Sequence, residues 1–383
     1  MTEARHRAGR YIRQEAGYSA FVPASLPPEP PVYMDEEMLT LLSDADRALG
    51  RLDGSIQTLP DPDLFVFMYV RKEAVLSSQI EGTQSSLDDV LEAEAAITDP
   101  TRPKDVEEVL NYVDAMNFGL SRLDDIPVSV RLLKEIHARL LRGVRGFEKQ
   151  PGELRRSQNW IGPGGANLLD ATFVPPPVHE LPRVLGDFET FLHADAPLPA
   201  LIRIGLAHAQ FETIHPFLDG NGRVGRLLIT FLLCERDMLS RPVLYLSYYF
   251  KRHRADYYEL LQRVRDEGDW ESWLKFFLRG VADVSREATE TARRIVDLRE
   301  THRNTIVADF GRVAGNGLSV LERLYSRPYV SINDVAGIAE VSYPAASSLM
   351  SKLVDAGLLV EVTGNARNRR YAYSPYINIF SAE

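Results

Sequence analysis

The chain has 383 residues, more than one small core requires, so two or three domains are expected. With 45% hydrophobic and 26% charged residues it reads as an ordinary globular protein, and a formal net charge of −10 excludes a general attraction to nucleic acid or anionic membranes. The single cysteine, Cys234, rules out a disulfide framework within the chain, and no apolar run is long enough for a bilayer, so a reducing, cytoplasmic setting without membrane contact is expected.

The opening MTEARHRAGRYIRQ is basic and lacks the apolar stretch of a secretory signal. Residues 21–33, FVPASLPPEPPVY, are proline-rich and read as an extended arm with little core of its own. Helical spacing begins near Asp35, with Gly54 as a plausible end. A second helix spans residues 62–82 and stops at Gly82. SSLDDVLEAEAAI, opened by a serine cap, is a third, and residues 104–123 and 129–144 continue the pattern. From Pro151 to Pro177 glycine, proline and asparagine break it, and SQNWI and ATFVP around GPGGANLLD suggest a small hairpin. Helices return over 178–194 and 199–214, and RLLITFLLCERDML, apolar almost all round, reads as a buried helix. Residues 254–268 and 270–306 add more, the last turning heavily charged, as a connecting helix would. From about Gly317, three short helices precede VEVTGNARNRRYAYS, which alternates around a Gly-Asn turn. Ser342 is the expected cap of the third, with Pro344 in its first turn. This pattern reads as a winged helix-turn-helix.

The stretch densest in chemistry is HPFLDGNGRVGR, His215 to Arg226, between two apolar helices. Gly220, Gly222 and Gly225 permit positive φ and bring backbone N–H groups close to a ligand. The N-terminus of the following helix favours an anion there. Arg223 and Arg226, three apart, can lean toward the same anion, and Asn221 can donate from its amide. Asp219 would repel a bare phosphate; it makes sense beside a cation, so Mg²⁺ bridging phosphates is the natural reading. His215 is the group whose ordinary pKa suits proton transfer near neutrality. Taken singly, each of these residues is an ordinary packing or turn residue; together they point to a nucleotide or phosphate site. The missing Gly-Lys-Ser/Thr end excludes a P-loop, and the lack of a preceding strand excludes a dinucleotide loop. His208, seven residues upstream on the same helix, reads as structural.

At every fixed position this stretch resembles the signature of Fic-domain proteins, H-x-F-x-D/E-G-N-G-R-x-x-R. The resemblance covers roughly residues 27–280 and takes in SQNWIG, DYYELL and SSQIEG. It implies a mainly α protein, with an N-terminal arm and helical region over 1–115 and a Fic helical core with a small β-hairpin flap over 116–280; on the patterning above, a linker helix over 281–316 and the winged-helix domain over 317–383 follow. The implied activity is transfer of AMP from ATP to a Ser, Thr or Tyr hydroxyl of a target protein. Carried over, His215 is the base, Asp219 holds Mg²⁺, Asn221 with the backbone of Gly220 and Gly222 holds the α-phosphate, and Arg223 and Arg226 hold the outer phosphates. Asn159, Trp160, Ile161 and Gly162 look like the flap that aligns the target segment. Tyr257 and Tyr258 match a tyrosine pair near adenine, and Phe217 is a packing residue of the signature.

SSQIEG, Ser77 to Gly82, is an ordinary helix C-terminus by composition, with Ser77 and Glu81 one turn apart on one face. The resemblance gives it a further meaning, since S/T-x-x-x-E-G/N looks like the inhibitory helix motif of the family, whose glutamate pairs with the second arginine of the signature, here Arg226. Autoinhibition by Glu81, with self-AMPylation once it is relieved, is the resulting expectation.

The tail from Leu318 carries six Lys/Arg and six Asp/Glu, weak for a DNA reader, although Arg367, Arg369 and Arg370 fall on the expected wing. DNA and a second copy of the chain are therefore admitted as partners of the winged helix, beside ATP and a target protein at the flap. Rival readings are another nucleotide donor, AMP removal, or a transcription regulator that senses nucleotide.

Overall fold

A computed structural model describes residues 7–57, 62–97, 101–162, 165, 167–195 and 197–381. The beginning of the chain is a hairpin rather than a free arm. Gly9–Arg13 (β1) and Ser19–Pro23 (β2) pair antiparallel, with Gly9 opposite Pro23 and Arg13 opposite Ser19. Ala20, Phe21 and Val22 are buried, and the Phe21 N–H donates to the Val174 carbonyl at 2.9 Å. The prolines begin in earnest only after β2, so their extended signal describes the exit of the hairpin.

The helices follow in order. Glu36–Gln57 is α1, Pro62–Ile80 α2, Leu87–Glu94 α3, Val106–Arg122 α4 and Val130–Leu140 α5. Leu181–His193 is α6, Ala200–Ile214 α7, Asn221–Glu235 α8, Ser247–Arg252 α9, Arg254–Glu267 α10 and Trp270–Asp309 α11. α1 runs through Gly54 without stopping, because nothing crowds that position and an isolated glycine costs a helix only about 1 kcal/mol. α3 opens with a capping box in which Ser86 and Asp89 exchange hydrogen bonds.

The centre of the molecule is α7 packed on α8. Every residue of α7 from Leu201 to Ile214 is buried, with α6, α10 and α11 around it. α8 is the expected buried helix, but it begins at Asn221, so the second half of HPFLDGNGRVGR is helix rather than loop. The 40-residue α11, about 60 Å long, lies along α1 and runs without a break through residue 280. Its buried first part belongs to the core, and the C-terminal helices Ala314–Leu324 and Ser374–Ser381 pack on it. Among the described residues no helix is long and apolar enough to cross a membrane.

The expected hairpin over 157–175 is present as one antiparallel bridge, Ile161 to Phe173. Pro163, Gly164 and Ala166 of its turn lie outside the described residues. The C-terminal region contains Ala314–Leu324 (α12), Ile332–Ala339 (α13), Tyr343–Asp355 (α14) and Ser374–Ser381 (α15). Tyr329–Val330 (β3), Val360–Glu361 (β4) and Tyr371–Ala372 (β5) form an antiparallel sheet in the order β3-β5-β4. Two expectations fail here. Ser342 makes no side-chain capping bond to α14, and Gly364-Asn365 is not a tight turn. The last cross-strand bond is Val362 N–H to Arg370 O, which leaves a loop between them. The sequence reading also missed α15, whose Phe380 meets Tyr69 of α2 edge-on at 5.4 Å.

Candidate functional site

α7 ends on His215, which adopts the left-handed conformation at φ 49° and closes the helix by donating its N–H to Phe211 O at 2.9 Å. That conformation is strained for a side-chain-bearing residue and must be held by its surroundings. The His215 carbonyl accepts from Arg155 Nε at 3.0 Å and from Asn159 Nδ2 at 3.1 Å. The half-buried imidazole points Nδ1 at the Glu212 carbonyl, 3.3 Å away, which leaves Nε2 with its lone pair. Burial, then the charges of Arg265 and Arg155, lower its pKa to about 3. His215 is therefore neutral at physiological pH and able to take a proton.

The turn that follows is braced from several sides. Phe217 is buried and its ring stacks on His137 at 3.9 Å. His137 Nδ1 accepts the Gly152 N–H at 2.8 Å, so the proton sits on Nε2 and is donated to Asp219 O at 3.0 Å. Burial lowers the His137 pKa to about 4 and keeps it neutral. The Asn221 amide was expected to meet a phosphate. Here both its ends hold Phe217, accepting the N–H and donating to the carbonyl, each at 2.9 Å. Of the three glycines, Gly220 takes positive φ, at 74°, where the backbone turns into α8. Gly222 and Gly225 are helical, and what they supply is closeness. A Cβ on Gly222 would lie 2.2 Å from Glu81 Oε1, and one on Gly225 would lie 2.3 Å from Glu212 Oε1.

Asp219 keeps one carboxylate oxygen on the Gly220 N–H at 2.6 Å, and the other lies 2.7 Å from where a Cβ on Gly146 would stand. Among the described residues no group of three His, Cys, Asp or Glu could hold a metal ion. A lone carboxylate beside a helix N-terminus suits a cation whose remaining ligands are phosphate oxygens and water, which is the usual way Mg²⁺ is held.

Each arginine of the signature is buried against a carboxylate. Arg223, 2% exposed, donates to Glu108 Oε2 at 3.2 Å, and Glu108 also meets Arg145. Arg226, also 2% exposed, donates to Glu81 Oε1 at 2.6 Å, to Ser77 Oγ at 2.8 Å and to Ser77 O at 3.0 Å. Burial pushes the Glu81 carboxyl up, but Arg226 and then Arg223 outweigh it and hold Glu81 below the ordinary carboxylate value. Burial and Glu81 act on Arg226 in opposite senses, and Glu81 wins, so the guanidinium is held charged. Two further buried carboxyls flank this pair. Burial raises Glu73 and Glu212 to about 7 each. Glu73 accepts from Ser247 N at 3.1 Å and from Tyr112 at 3.2 Å, whereas Glu212 Oε1 has no hydrogen-bond partner.

Tyr257 is buried beneath α8. His208 Nδ1 donates to Gly225 O at 2.8 Å, and the other ring nitrogen accepts from the Tyr257 hydroxyl at 2.9 Å. Tyr258 is 41% exposed, with its ring beside that of Tyr257 at 5.2 Å. On the flap, Ile161 and Phe173 exchange two backbone bonds of 2.8 and 3.0 Å, Trp160 and Gly162 are exposed, and Asn159 faces inward to hold the carbonyls of His215 and Phe217. Sequence reasoning brought His215, the arginines, Ser77 and Glu81 together. It missed Glu73, Glu108, His137, Arg155 and Arg265, which sit on ordinary amphipathic helices or in the flap's approach and carry no local signature.

Residues 39–121 match the Fic/DOC family N-terminal model and residues 127–233 the Fic/DOC family model. The chain is similar to Protein adenylyltransferase Fic of Drosophila melanogaster, 28% identical over 266 residues, covering 67% of this chain and 48% of that protein. The namesake from Culex quinquefasciatus is 32% identical over 219 residues, covering 55% of this chain and 39% of that one. The chain thus spans about half the length or less of the curated relatives it matches. A Fic family protein from Desulfovibrio desulfuricans G20 superposes with a TM-score of 0.60 at 20% identity, covering 90% of this chain and 97% of the other. A Fic domain containing signaling protein from Bacteroides thetaiotaomicron VPI-5482 gives 0.53 at 17%, covering 65% and 97%. At these identities the structures establish the fold alone, which is a Fic fold with a small hairpin.

Proposed function

We propose that the chain, which matches the Fic/DOC family N-terminal model over 39–121 and the Fic/DOC family model over 127–233, transfers AMP from ATP to a hydroxyl side chain of a protein. The observation that supports this best is His215 at the head of a turn whose next helix carries Arg223 and Arg226. In this reading His215 Nε2 takes the hydroxyl proton, the freed oxygen attacks the α-phosphorus, and the bond to the β-phosphate breaks with pyrophosphate leaving. Arg223 and Arg226 receive the charge that builds on the leaving group, and the first N–H groups of α8, which lack intrahelical acceptors, face the phosphates. Mg²⁺, held by Asp219 and the phosphates, would neutralise the same charge. Trp160, Ile161 and Gly162 offer the edge against which a target segment can lie, and self-modification is included among the acceptors.

The enzyme is held off by Glu81. Arg226 cannot meet an outer phosphate while Glu81 and Ser77 hold it. Labelled-AMP incorporation by wild type, Glu81→Gly and His215→Ala tests both assignments. Glu81→Gly should raise incorporation and His215→Ala should abolish it; an inactive Glu81→Gly protein, or a fully active His215→Ala protein, removes the respective claim.

We read residues 314–381 as a winged helix-turn-helix, on the succession of α12, α13 and α14 against the β3-β5-β4 sheet. The exposed face of α14 carries Tyr343, Ser348, Ser351 and Lys352, Arg369 lines a cleft with Tyr343, and Arg367 is exposed on the same loop, a surface suited to a duplex. A gel shift with genomic fragments, with and without ATP, should show salt-sensitive binding that Arg367→Ala with Arg369→Ala removes; no shift at low salt would exclude DNA.

A further inference from the structure

The side chain of Arg155 is 1% exposed and stands where the chain enters the flap. Its Nε donates to the His215 carbonyl at 3.0 Å, its Nη2 to the Pro176 carbonyl at 2.5 Å, and its backbone N–H to the Pro216 carbonyl at 2.9 Å. Pro176 is the exit of the same flap. One guanidinium therefore joins the entry and exit of the flap to the strained residue that carries the base. Its third nitrogen, Nη1, is buried with no hydrogen-bond partner, a cost that a hydrophobic side chain in this place would avoid. The polarity of the site thus serves a geometric end.

We propose that Arg155 is a positioning residue for the base: it ties both limbs of the flap to the His215 carbonyl and so fixes where the imidazole points. The inference rests on the AMP-transfer reading of His215. Asn159 Nδ2 supports the same carbonyl, at 3.1 Å, from inside the flap. The N-terminal hairpin steadies the other limb, through the Phe21 N–H on Val174 O at 2.9 Å. A left-handed histidine whose carbonyl is released relaxes toward commoner backbone angles, and the imidazole moves with it. The groups that face the imidazole are Arg155 from the flap, Arg265 from α10, Glu81 from the end of α2 and the Glu212 carbonyl from its own helix. The Arg155 charge disfavours the imidazolium, so the residue also helps to keep the base unprotonated.

The test uses the full chain carrying Glu81→Gly, with Arg155→Gln and Arg155→Lys added. Arg155→Gln should lower kcat for AMP transfer by about ten- to a hundredfold, the order expected for a small misplacement of a reacting group. KM for ATP should stay within about twofold, because Asp219, Arg223 and Arg226 are untouched. The acid limb of kcat/KM should move to higher pH in Arg155→Gln and stay in place in Arg155→Lys, which keeps the charge but loses the fork. A clamp that only stabilises the fold would lower the melting temperature and leave the pH limb and the kcat-to-KM split unchanged, and that result overturns the proposal. Ring-nitrogen NMR titration of His215 without nucleotide gives the same answer independently of turnover. An unshifted midpoint in Arg155→Gln overturns the proposal, whereas a shifted midpoint in a protein whose Glu81→Gly parent transfers no AMP supports it and instead removes the AMP-transfer reading.

Discussion

Glu81→Gln is the perturbation that separates charge from shape in the proposed inhibitory contact. Glutamine keeps the length and volume of the side chain and removes the negative partner of Arg226, which lies 2.6 Å away. Removing one partner of a fully buried ion pair costs about 3–5 kcal/mol. Two features here reduce that figure. The Glu81 side chain is 31% exposed, and Ser77 continues to accept from Arg226 through its hydroxyl and its carbonyl. A loss of about 2 kcal/mol without nucleotide is the expected size, seen as a melting temperature lowered by a few degrees. The sign reverses once ATP is present. In the wild type the outer phosphates must take Arg226 from a carboxylate; in Glu81→Gln they take it from a neutral amide. A difference of about 2 kcal/mol in that exchange corresponds to roughly a thirtyfold rise in the population that binds phosphate productively.

The assay pairs a thermal melt, with and without ATP and Mg²⁺, with labelled-AMP incorporation. Glu81→Gln should melt lower than wild type alone, gain more from ATP than wild type does, and incorporate more AMP. The pH sense follows from the carboxyl. Glu81 is held below its ordinary value of 4.5, so its contribution is complete above that value and is lost as pH falls through the lower folded value. Inhibition should therefore be flat across neutral pH. If Glu81→Gln matches wild type in ATP-dependent stabilisation and in incorporation, the ion pair is architectural and the inhibitory reading fails.

Glu73 supplies a second pH signature, of opposite sense. Its folded pKa of about 7 lies above the ordinary 4.5, so between these values the unfolded chain has released a proton that the folded protein keeps, and stability falls as pH rises. The slope is about 1.4 kcal/mol per pH unit. Glu73→Gln should remove one such contribution in urea denaturation between pH 5 and 7, and equal slopes in the two proteins would sink the assignment. Gly225→Ala places a methyl group 2.3 Å from Glu212 Oε1 and 3.1 Å from the Phe211 ring, and should cost about 1–3 kcal/mol in the same measurement. Unchanged stability would mean that α7 and α8 are less tightly apposed than they stand.

What was legible in the sequence was what rests on neighbours along the chain. Ser77 and Glu81 share a helix face by spacing alone, and the largely apolar flanks of HPFLDGNGRVGR announced α7 and α8. What was hidden depends on contacts far apart in sequence. Glu108 is 115 positions from the arginine it holds, and Ser247 is 174 positions from Glu73. Neither carries a local pattern that distinguishes it from a surface residue. The glycine reading failed in an instructive way. Positive φ explains Gly220, but Gly222 and Gly225 exist for the approach of two carboxylates that arrive from elsewhere. The arm was misread because proline is a strong local signal, while the pairing that makes β1 and β2 a hairpin is anchored by Val174.

The same contacts decide where control of the site can lie. The turn from His215 to Asn221 already has its shape: Asn221 holds both polar groups of the Phe217 backbone, His137 stacks on its ring and holds Asp219 O, and Arg155 and Asn159 hold the His215 carbonyl. Few of these groups need to move for a nucleotide to enter, which is what preorganised electrostatic catalysis requires. The arginines differ, because each must leave a carboxylate to meet a phosphate. Arg223 is held by Glu108 in the first turn of α4, which also takes Arg145, whereas Arg226 is held by Glu81 just past the last turn of α2. The Glu81 side chain is 31% exposed against 8% for Glu108, so it is displaced with fewer buried contacts broken. On the proposed reading, whatever displaces the end of α2 acts on a base and a turn that are already in place, and one exchange of partners at Arg226 would switch the site.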